Sequence, residues 1–247
     1  MLHDEIARRF ADAGVMIFDE VLPPELVAEL HAGYSAQYEA YHQDREFADA
    51  LTVGDKRTMI SIAVDGRFND PAIYANPTAF PMIRELLGGD VILGSFVSVT
   101  SLPGSLDQEP HLDMPVLFEA EQVSPELPVY SLTLVIPLVN MNATNGTTAF
   151  FPGSHKAIHD GIPDMSPVAP DIPVGSALLF DAWVWHGGTP NRSAAPRPVL
   201  CNTYQRSWFR DSVNFLSQPP LVMHAAERAK IPEAHRHLFD WVRSPQA

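Results

Sequence analysis

Two short stretches of the chain carry the side chains with the most chemistry. In Pro110-His111-Leu112-Asp113-Met114-Pro115, an imidazole and a carboxylate stand two residues apart. On a strand, residues i and i+2 point to the same face, so His111 and Asp113 project together. Such a pair can chelate a divalent metal, or it can simply share a hydrogen bond. His186 ends the strand-like run of SALLFDAWVWHGG and precedes Gly187-Gly188, where a turn is expected. A histidine at the mouth of a barrel strand faces a central cavity. Two histidines and one carboxylate on one face leave several coordination positions open, as in the facial triad of non-haem Fe(II) sites. Ligand type alone also admits Zn(II). Arg197 opens the next strand-like run, and from there its guanidinium can enter the same cavity and hold a carboxylate bidentately.

The elements that must position these groups follow from hydrophobic pattern. Residues 2–13 read as a short helix that stops at Gly14, and VMIF (15–18) as a strand. Pro23, Pro24 and Glu25 open a second helix through about His42, with Leu26, Val27, Leu30 and Tyr34 on one face. Residues 77–87 form another helix ahead of Gly88-Gly89, and 224–243 form a short helical tail. Strand-like runs, rich in β-branched and aromatic residues, lie at 58–64, 91–100, 129–139, 147–151, 176–185 and 197–209. Helices first and spaced strands after describe a mainly β (α+β) chain built on a sandwich or barrel. No linker divides it, so one domain is expected over 1–247. Its helical part covers about 1–45, its β core about 55–210 and its tail about 220–243.

Composition narrows the partners. The chain has 247 residues, with 16 Lys+Arg against 30 Asp+Glu, a formal charge of −14. That balance argues against nucleic-acid binding and against docking to an anionic membrane. The single cysteine, Cys201, excludes an intramolecular disulfide framework and any multi-cysteine metal site. No run approaches a membrane span and no signal segment opens the chain, so a cytoplasmic protein is expected.

A further block, Asn145-Gly146-Thr147-Thr148-Ala149-Phe150-Phe151-Pro152-Gly153-Ser154-His155-Lys156, and the element Leu87-Gly88-Gly89-Asp90 complete the pattern. With His186-Gly187-Gly188-Thr189-Pro190-Asn191-Arg192-Ser193 and Pro196-Arg197, the chain from Arg8 to Arg206 resembles the phytanoyl-CoA dioxygenase family of Fe(II)- and 2-oxoglutarate-dependent oxygenases. The resemblance implies a double-stranded β-helix, a jelly-roll barrel. It implies that His111, Asp113 and His186 are the iron ligands and that Arg197 binds the distal carboxylate of 2-oxoglutarate, with O2 as second cosubstrate. Asn191 and Ser193 match the turn after the last ligand, and His155 a structural turn. Some relatives use a further basic side chain on an early strand for the cosubstrate, and Lys56 and Arg57 lie in that part of the chain. Halogenases of the superfamily lack the carboxylate ligand, so Asp113 points to hydroxylation or a related oxidation.

Other residues carry weaker expectations. Thr133 is a candidate cosubstrate contact, although alternation leaves open which face of its strand turns inward. Ser98 and Thr100 share one face and are poorer candidates. Arg206 and Arg210 read as solvated, and Cys201 as a small core residue. Phe118, Phe150, Phe151, Trp183, Trp185, Trp208 and Phe209 read as core. The other histidines, His3, His31, His42, His159, His224, His235 and His237, have no convergent spacing. Segments 43–57 and 114–128 are expected to be lid loops that select substrate. The expected protein is an oxygenase acting on a small organic molecule in natural-product biosynthesis, as a monomer or homodimer. A metal-retaining, cupin-like binding protein without turnover and a Zn-dependent hydrolase on the same barrel stand as alternatives.

Overall fold

The computed structural model describes residues 2–42, 50–114, 117, 127–157, 161–211 and 214–242. Phe118, His159 and much of both expected lid loops lie outside them. Among the described residues nine strands run in chain order: β1 (Val15–Phe18), β2 (Ala50–Thr52), β3 (Arg57–Ser61), β4 (Val91–Ser101), β5 (Ser131–Pro137), β6 (Thr148–Phe150), β7 (Ala177–Asp181), β8 (His186–Gly188) and β9 (Arg197–Arg206). Seven of them form one antiparallel sheet in the order β1-β7-β5-β9-β4-β3-β2, and β6 and β8 form a small second sheet. The arrangement is a jelly roll.

Helices α1 (Leu2–Ala13), α2 (Pro24–Gln37), α3 (Pro71–Tyr74), α4 (Phe80–Leu86) and α5 (Ala225–Arg228) complete the chain. Proline near the first turn suits α2, α3 and α4, where the missing N–H is not needed. Asp70 caps α3 by accepting from the Ala72 N–H at 2.9 Å. Against expectation, α2 ends at Gln37 and the chain tightens into a 3-10 turn at Glu39–His42. The tail is likewise mostly 3-10, at Glu233–Phe239.

Strand alternation builds two cores, one on each side of the large sheet. Leu132, Leu134, Leu200 and Tyr204 face the helices and pack with Val27, Leu30, Phe68 and Phe239. Val97, Val135, Val199 and Cys201 face the small sheet and pack with Phe150, Phe180 and Val184. Each fully buried aliphatic or aromatic chain of this kind contributes about 1.5–3 kcal/mol. Ser98 and Thr100 fall on the helix side, where the Thr100 hydroxyl pairs with Tyr34 Oη at 2.6 Å. Thr133 falls on the other side.

Candidate metal centre and cavity

The run 176–185 is not one strand, as its composition suggests. β7 stops at Asp181, whose Oδ1 accepts the Trp183 N–H at 2.9 Å, while the Val184 N–H returns to the Asp181 carbonyl at the same distance. This corner carries the chain from the large sheet to the small one, and His186 begins β8 rather than ending a strand. Gly187 and Gly188 are not a turn; they are the rest of β8. They are glycines because of close approach. A Cβ on Gly187 would lie 2.8 Å from the Gln108 carbonyl oxygen, and one on Gly188 would lie 2.8 Å from Arg57 Nε.

The Pro110–Pro115 stretch pairs with β8 at one rung. His111 N–H donates to the His186 carbonyl at 2.9 Å, and His186 N–H returns to the His111 carbonyl at 3.1 Å. Residues opposed in this way share a face. The two imidazoles accordingly stand with ring centres 4.6 Å apart. Asp113 N–H is tied to the Ala182 carbonyl at 3.1 Å, and its carboxylate Oδ1 lies 3.4 Å from His186 Nε2 and 3.8 Å from His111 Nε2. One ligand atom from each of the three residues fits within 4.8 Å of the others.

The hydrogen bonds behind the rings orient them for a metal. His111 Nδ1 lies 2.9 Å from the Glu109 carbonyl, and His186 Nδ1 lies 2.8 Å from the Val184 carbonyl. A carbonyl only accepts, so each Nδ1 carries the hydrogen and each ring aims its Nε2 toward Asp113, the atom left to ligate a metal once it carries no proton. Burial and then the neighbouring His186 push the His111 imidazole below its ordinary value. Burial presses His186 the same way, but the Asp113 carboxylate outweighs it and the net shift is upward. For Asp113, burial is outweighed by His186, His111 and a hydrogen bond from Thr133, and its pKa falls. The donor set and its geometry fit a divalent metal with open positions.

The cluster opens on a cavity of about 350 Å³. Inward-facing residues of the large sheet form its floor, including Arg57, Val97, Thr133, Val135, Arg197 and Val199. Arg197 is 3% exposed, its Nε is buried without a partner, and no ion pair forms with it among the described residues. Burial and then the charge of Arg57 push it down to about 10. A buried guanidinium without a counter-ion at the wall of a cavity is a receptor for an anion. Cys201 also lines the cavity, where burial and Asp113 raise its thiol to about 12.

The structure brings together His111, Asp113, His186, Arg197 and Thr133. It separates them from Ser98 and Thr100. Of the two early basic residues, Arg57 lines the cavity and Lys56 does not. Arg206 is partly buried and donates to the Val129 carbonyl at 2.7 Å, while Arg210 stacks over Trp241 at 5.2 Å. His155 holds the Ala11 carbonyl at 3.2 Å, a structural contact. Asn191 is fully buried, donates to the Ser101 and Ala195 carbonyls and accepts from Ser193. Sequence reasoning missed Gln108, Phe180 and Asn214. Phe180 packs 4.7 Å from the His186 ring, and Asn214 Nδ2 donates to the Asp113 carbonyl at 3.0 Å. Gln108 and Asn214 lie seven and eight positions past the ends of β4 and β9, where no periodic signal could have marked them.

An antiparallel jelly roll whose two sheets enclose a two-histidine, one-carboxylate cluster defines the class. Residues 10–199 match the family described as Phytanoyl-CoA dioxygenase (PhyH), and the chain belongs to it. Among relatives, dioxygenase af480 of Aspergillus fumigatus is 27% identical over 153 residues, covering 60% of this chain and 48% of that protein. Dioxygenase trt7 of Aspergillus terreus is 25% identical over 202 residues, covering 79% of this chain and 71% of its own. The Fe(II)/2-oxoglutarate-dependent dioxygenase nvfF of Aspergillus novofumigatus is 32% identical over 107 residues, 40% of this chain and 35% of that one. The chain thus spans about half the length of the first of these relatives. Among solved structures, the non-heme alpha ketoglutarate dependent epimerase SnoN from nogalamycin biosynthesis superposes with a TM-score of 0.64 at 18% identity, covering 86% of this chain and 87% of its own. No helix among the described residues is long and apolar enough to cross a membrane.

Proposed function

We propose that the protein is a cytoplasmic, non-haem Fe(II)- and 2-oxoglutarate-dependent dioxygenase that hydroxylates or otherwise oxidises a small organic molecule in natural-product biosynthesis. One observation carries the reading: a three-ligand cluster and an anion-seeking buried arginine share one cavity. Family membership and the relatives' printed activities support it, as does the neighbour SnoN, described in complex with Fe3+ and alpha ketoglutarate. The whole chain acts as one domain, and a monomer or homodimer suffices because all the candidate residues come from one chain.

His111, Asp113 and His186 would hold the iron, which with 2-oxoglutarate and O2 supplies the oxidation, the cosubstrate leaving as succinate and CO2. The chain itself orients and shields. The Glu109 and Val184 carbonyls fix both histidine rings by accepting from Nδ1. Arg197 receives the distal carboxylate of 2-oxoglutarate and neutralises its charge. Thr133 lines the cavity with Asp113, its hydroxyl 3.4 Å from that of Thr203, and has two candidate roles: a contact for the cosubstrate, or a positioning residue for the Asp113 carboxylate. Phe150 and Phe180 pack against His186 and exclude water from its far side.

The test is anaerobic titration of the metal-free protein with Fe(II) and then 2-oxoglutarate, watching for the weak visible metal-to-ligand charge-transfer band. The expected band weakens in Arg197→Ala and is lost or altered in Asp113→Ala. With iron shown to be bound, absence of the band and of any succinate release from candidate substrates rejects the oxygenase reading.

A further inference from the structure

β8 is three residues long, yet it carries His186. The rung to His111 holds its first residue, and its far end is fastened by side chains from elsewhere in the fold. Arg57 on β3 is 1% exposed, and its Nη2 donates to the Gly188 carbonyl at 3.1 Å and to the Thr189 carbonyl at 2.7 Å. Gln108 closes the circuit. Its backbone N–H donates to the Gly188 carbonyl at 2.8 Å, and its side-chain Oε1 accepts the Gly188 N–H at 3.0 Å. Its Nε2 donates to the Val53 carbonyl at 2.7 Å, and the Val53 N–H donates to the Arg57 carbonyl at 3.0 Å. Every backbone polar group of Gly188 is therefore committed to Gln108 or Arg57. The guanidinium sits on the bare α-carbon of Gly188, where a Cβ would stand 2.8 Å from Nε.

We propose that Arg57 is a positioning residue whose guanidinium, latched to the Gly188 and Thr189 carbonyls, sets the place of His186 relative to His111 and Asp113. The consequence for metal affinity rests on the metal-centre reading above; the latch itself does not. Burying an arginine to bind two carbonyls is costly unless the position it fixes matters. Because Nη2 is committed to backbone, Arg57 differs from Arg197, for which no hydrogen bond or ion pair forms among the described residues. Nε and Nη1 of Arg57 also lack partners, so an anion contact is the competing role, and the two roles give different readouts.

The experiment compares wild type with Arg57→Ala, Arg57→Lys, Gly188→Ala and the double variant. Hydrogen exchange at the Gly188 and Gln108 amides is followed in metal-free protein, and Fe(II) affinity is then measured without 2-oxoglutarate. Loss of a charge-assisted bond should speed exchange at Gly188 by about tenfold or more in Arg57→Ala, with the amides of β5 and β9 unchanged. Fe(II) affinity should fall by roughly 10- to 100-fold, as for other residues that orient a ligand. Gly188→Ala should give the same pattern, and the double variant should be no worse than the worse single, since the new methyl occupies space the guanidinium left. Arg57→Lys, which keeps the charge but offers a single donor point, should fall between and covers the case in which Arg57→Ala does not fold. Unchanged Gly188 exchange and Fe(II) affinity, with only 2-oxoglutarate binding weakened, overturns the latch and makes Arg57 a cosubstrate contact. Faster exchange in a protein whose wild type binds no Fe(II) supports the latch and overturns the metal-centre reading instead.

Discussion

Arg57 and Arg197 stand in one row of the large sheet, each paired with Ser101 of β4, one from β3 and the other from β9. Residues paired across neighbouring strands share a face, so two guanidiniums enter the same cavity side by side. Arg57 is tied to backbone carbonyls; Arg197, with its Nε orphaned and no ion pair among the described residues, is left for an anion. Two like charges in one buried row are tolerable where the cavity is built to take up a negative ligand.

Replacing Arg197 by Met should therefore have opposite effects on the empty and the liganded protein. Removing an unpaired buried charge should raise metal-free stability by on the order of 1–3 kcal/mol. Loss of a bidentate partner should weaken 2-oxoglutarate binding by about 2–4 kcal/mol, roughly 30- to 1,000-fold. Arg197→Lys should recover little of it, because an ammonium cannot match the fork. Thermal unfolding with and without 2-oxoglutarate reads both effects; equal stabilisation of both variants and wild type by the ligand would remove Arg197 from its proposed role.

Thr133→Val separates two roles for an inward-facing hydroxyl. If it orients Asp113, Fe(II) affinity should drop by roughly tenfold and 2-oxoglutarate affinity of the iron-loaded protein should hold. The reverse outcome, intact iron binding with weakened cosubstrate binding, assigns Thr133 to the cosubstrate.

Asp181 supplies a pH prediction outside the metal cluster. Burial raises its carboxyl to about 6, against a backbone N–H from Trp183 that lowers it. A raised acid is a stability contribution present below its unfolded value of 3.8 and lost as pH rises through about 6. Asp181→Asn keeps an acceptor for Trp183 and removes the charge. Its stability relative to wild type should improve between pH 4 and pH 7 and level off above, by up to about 3 kcal/mol. Chemical denaturation across that range checks it, and a pH-independent difference contradicts it.

Asn191→Ala should damage the frame next to Arg197 rather than the chemistry. The buried Ser101 carbonyl and the part-buried Ala195 carbonyl lose their donor, and Ser193 loses its acceptor. A cost of at least about 2 kcal/mol lowers Tm by on the order of 5 °C in a chain of this size. Unfolding curves show it directly; an unchanged Tm means that water replaces the amide.

Much of the site was legible beforehand because local rules suffice for it. His111 and Asp113 sit at i, i+2, and any extended segment projects them together. Strand-like runs around 91–100, 129–139 and 197–209 appear as β4, β5 and β9 because β-branched residues flanked by turn formers have few other options. The expected strand 176–185 failed for a physical reason: an Asp that caps its own corner looks, in composition, like any residue of an apolar run. Gly187-Gly188 were expected to turn because glycine is common in turns, and only the neighbours across the fold show that they are flat and crowded.

By itself the sequence determined the donor types, the alternation of each strand and an acidic, single-cysteine chain, all of which depend on neighbours within a few residues. Tertiary structure decided which face of each strand turns inward, and so put Thr133 in the cavity and Ser98 and Thr100 among the helices. It also decided that Arg57 lines the cavity and Lys56 does not, and that His186 meets His111 across a rung of a second sheet. Those choices depend on register between strands far apart in the chain, and a period of two reads the same from either face.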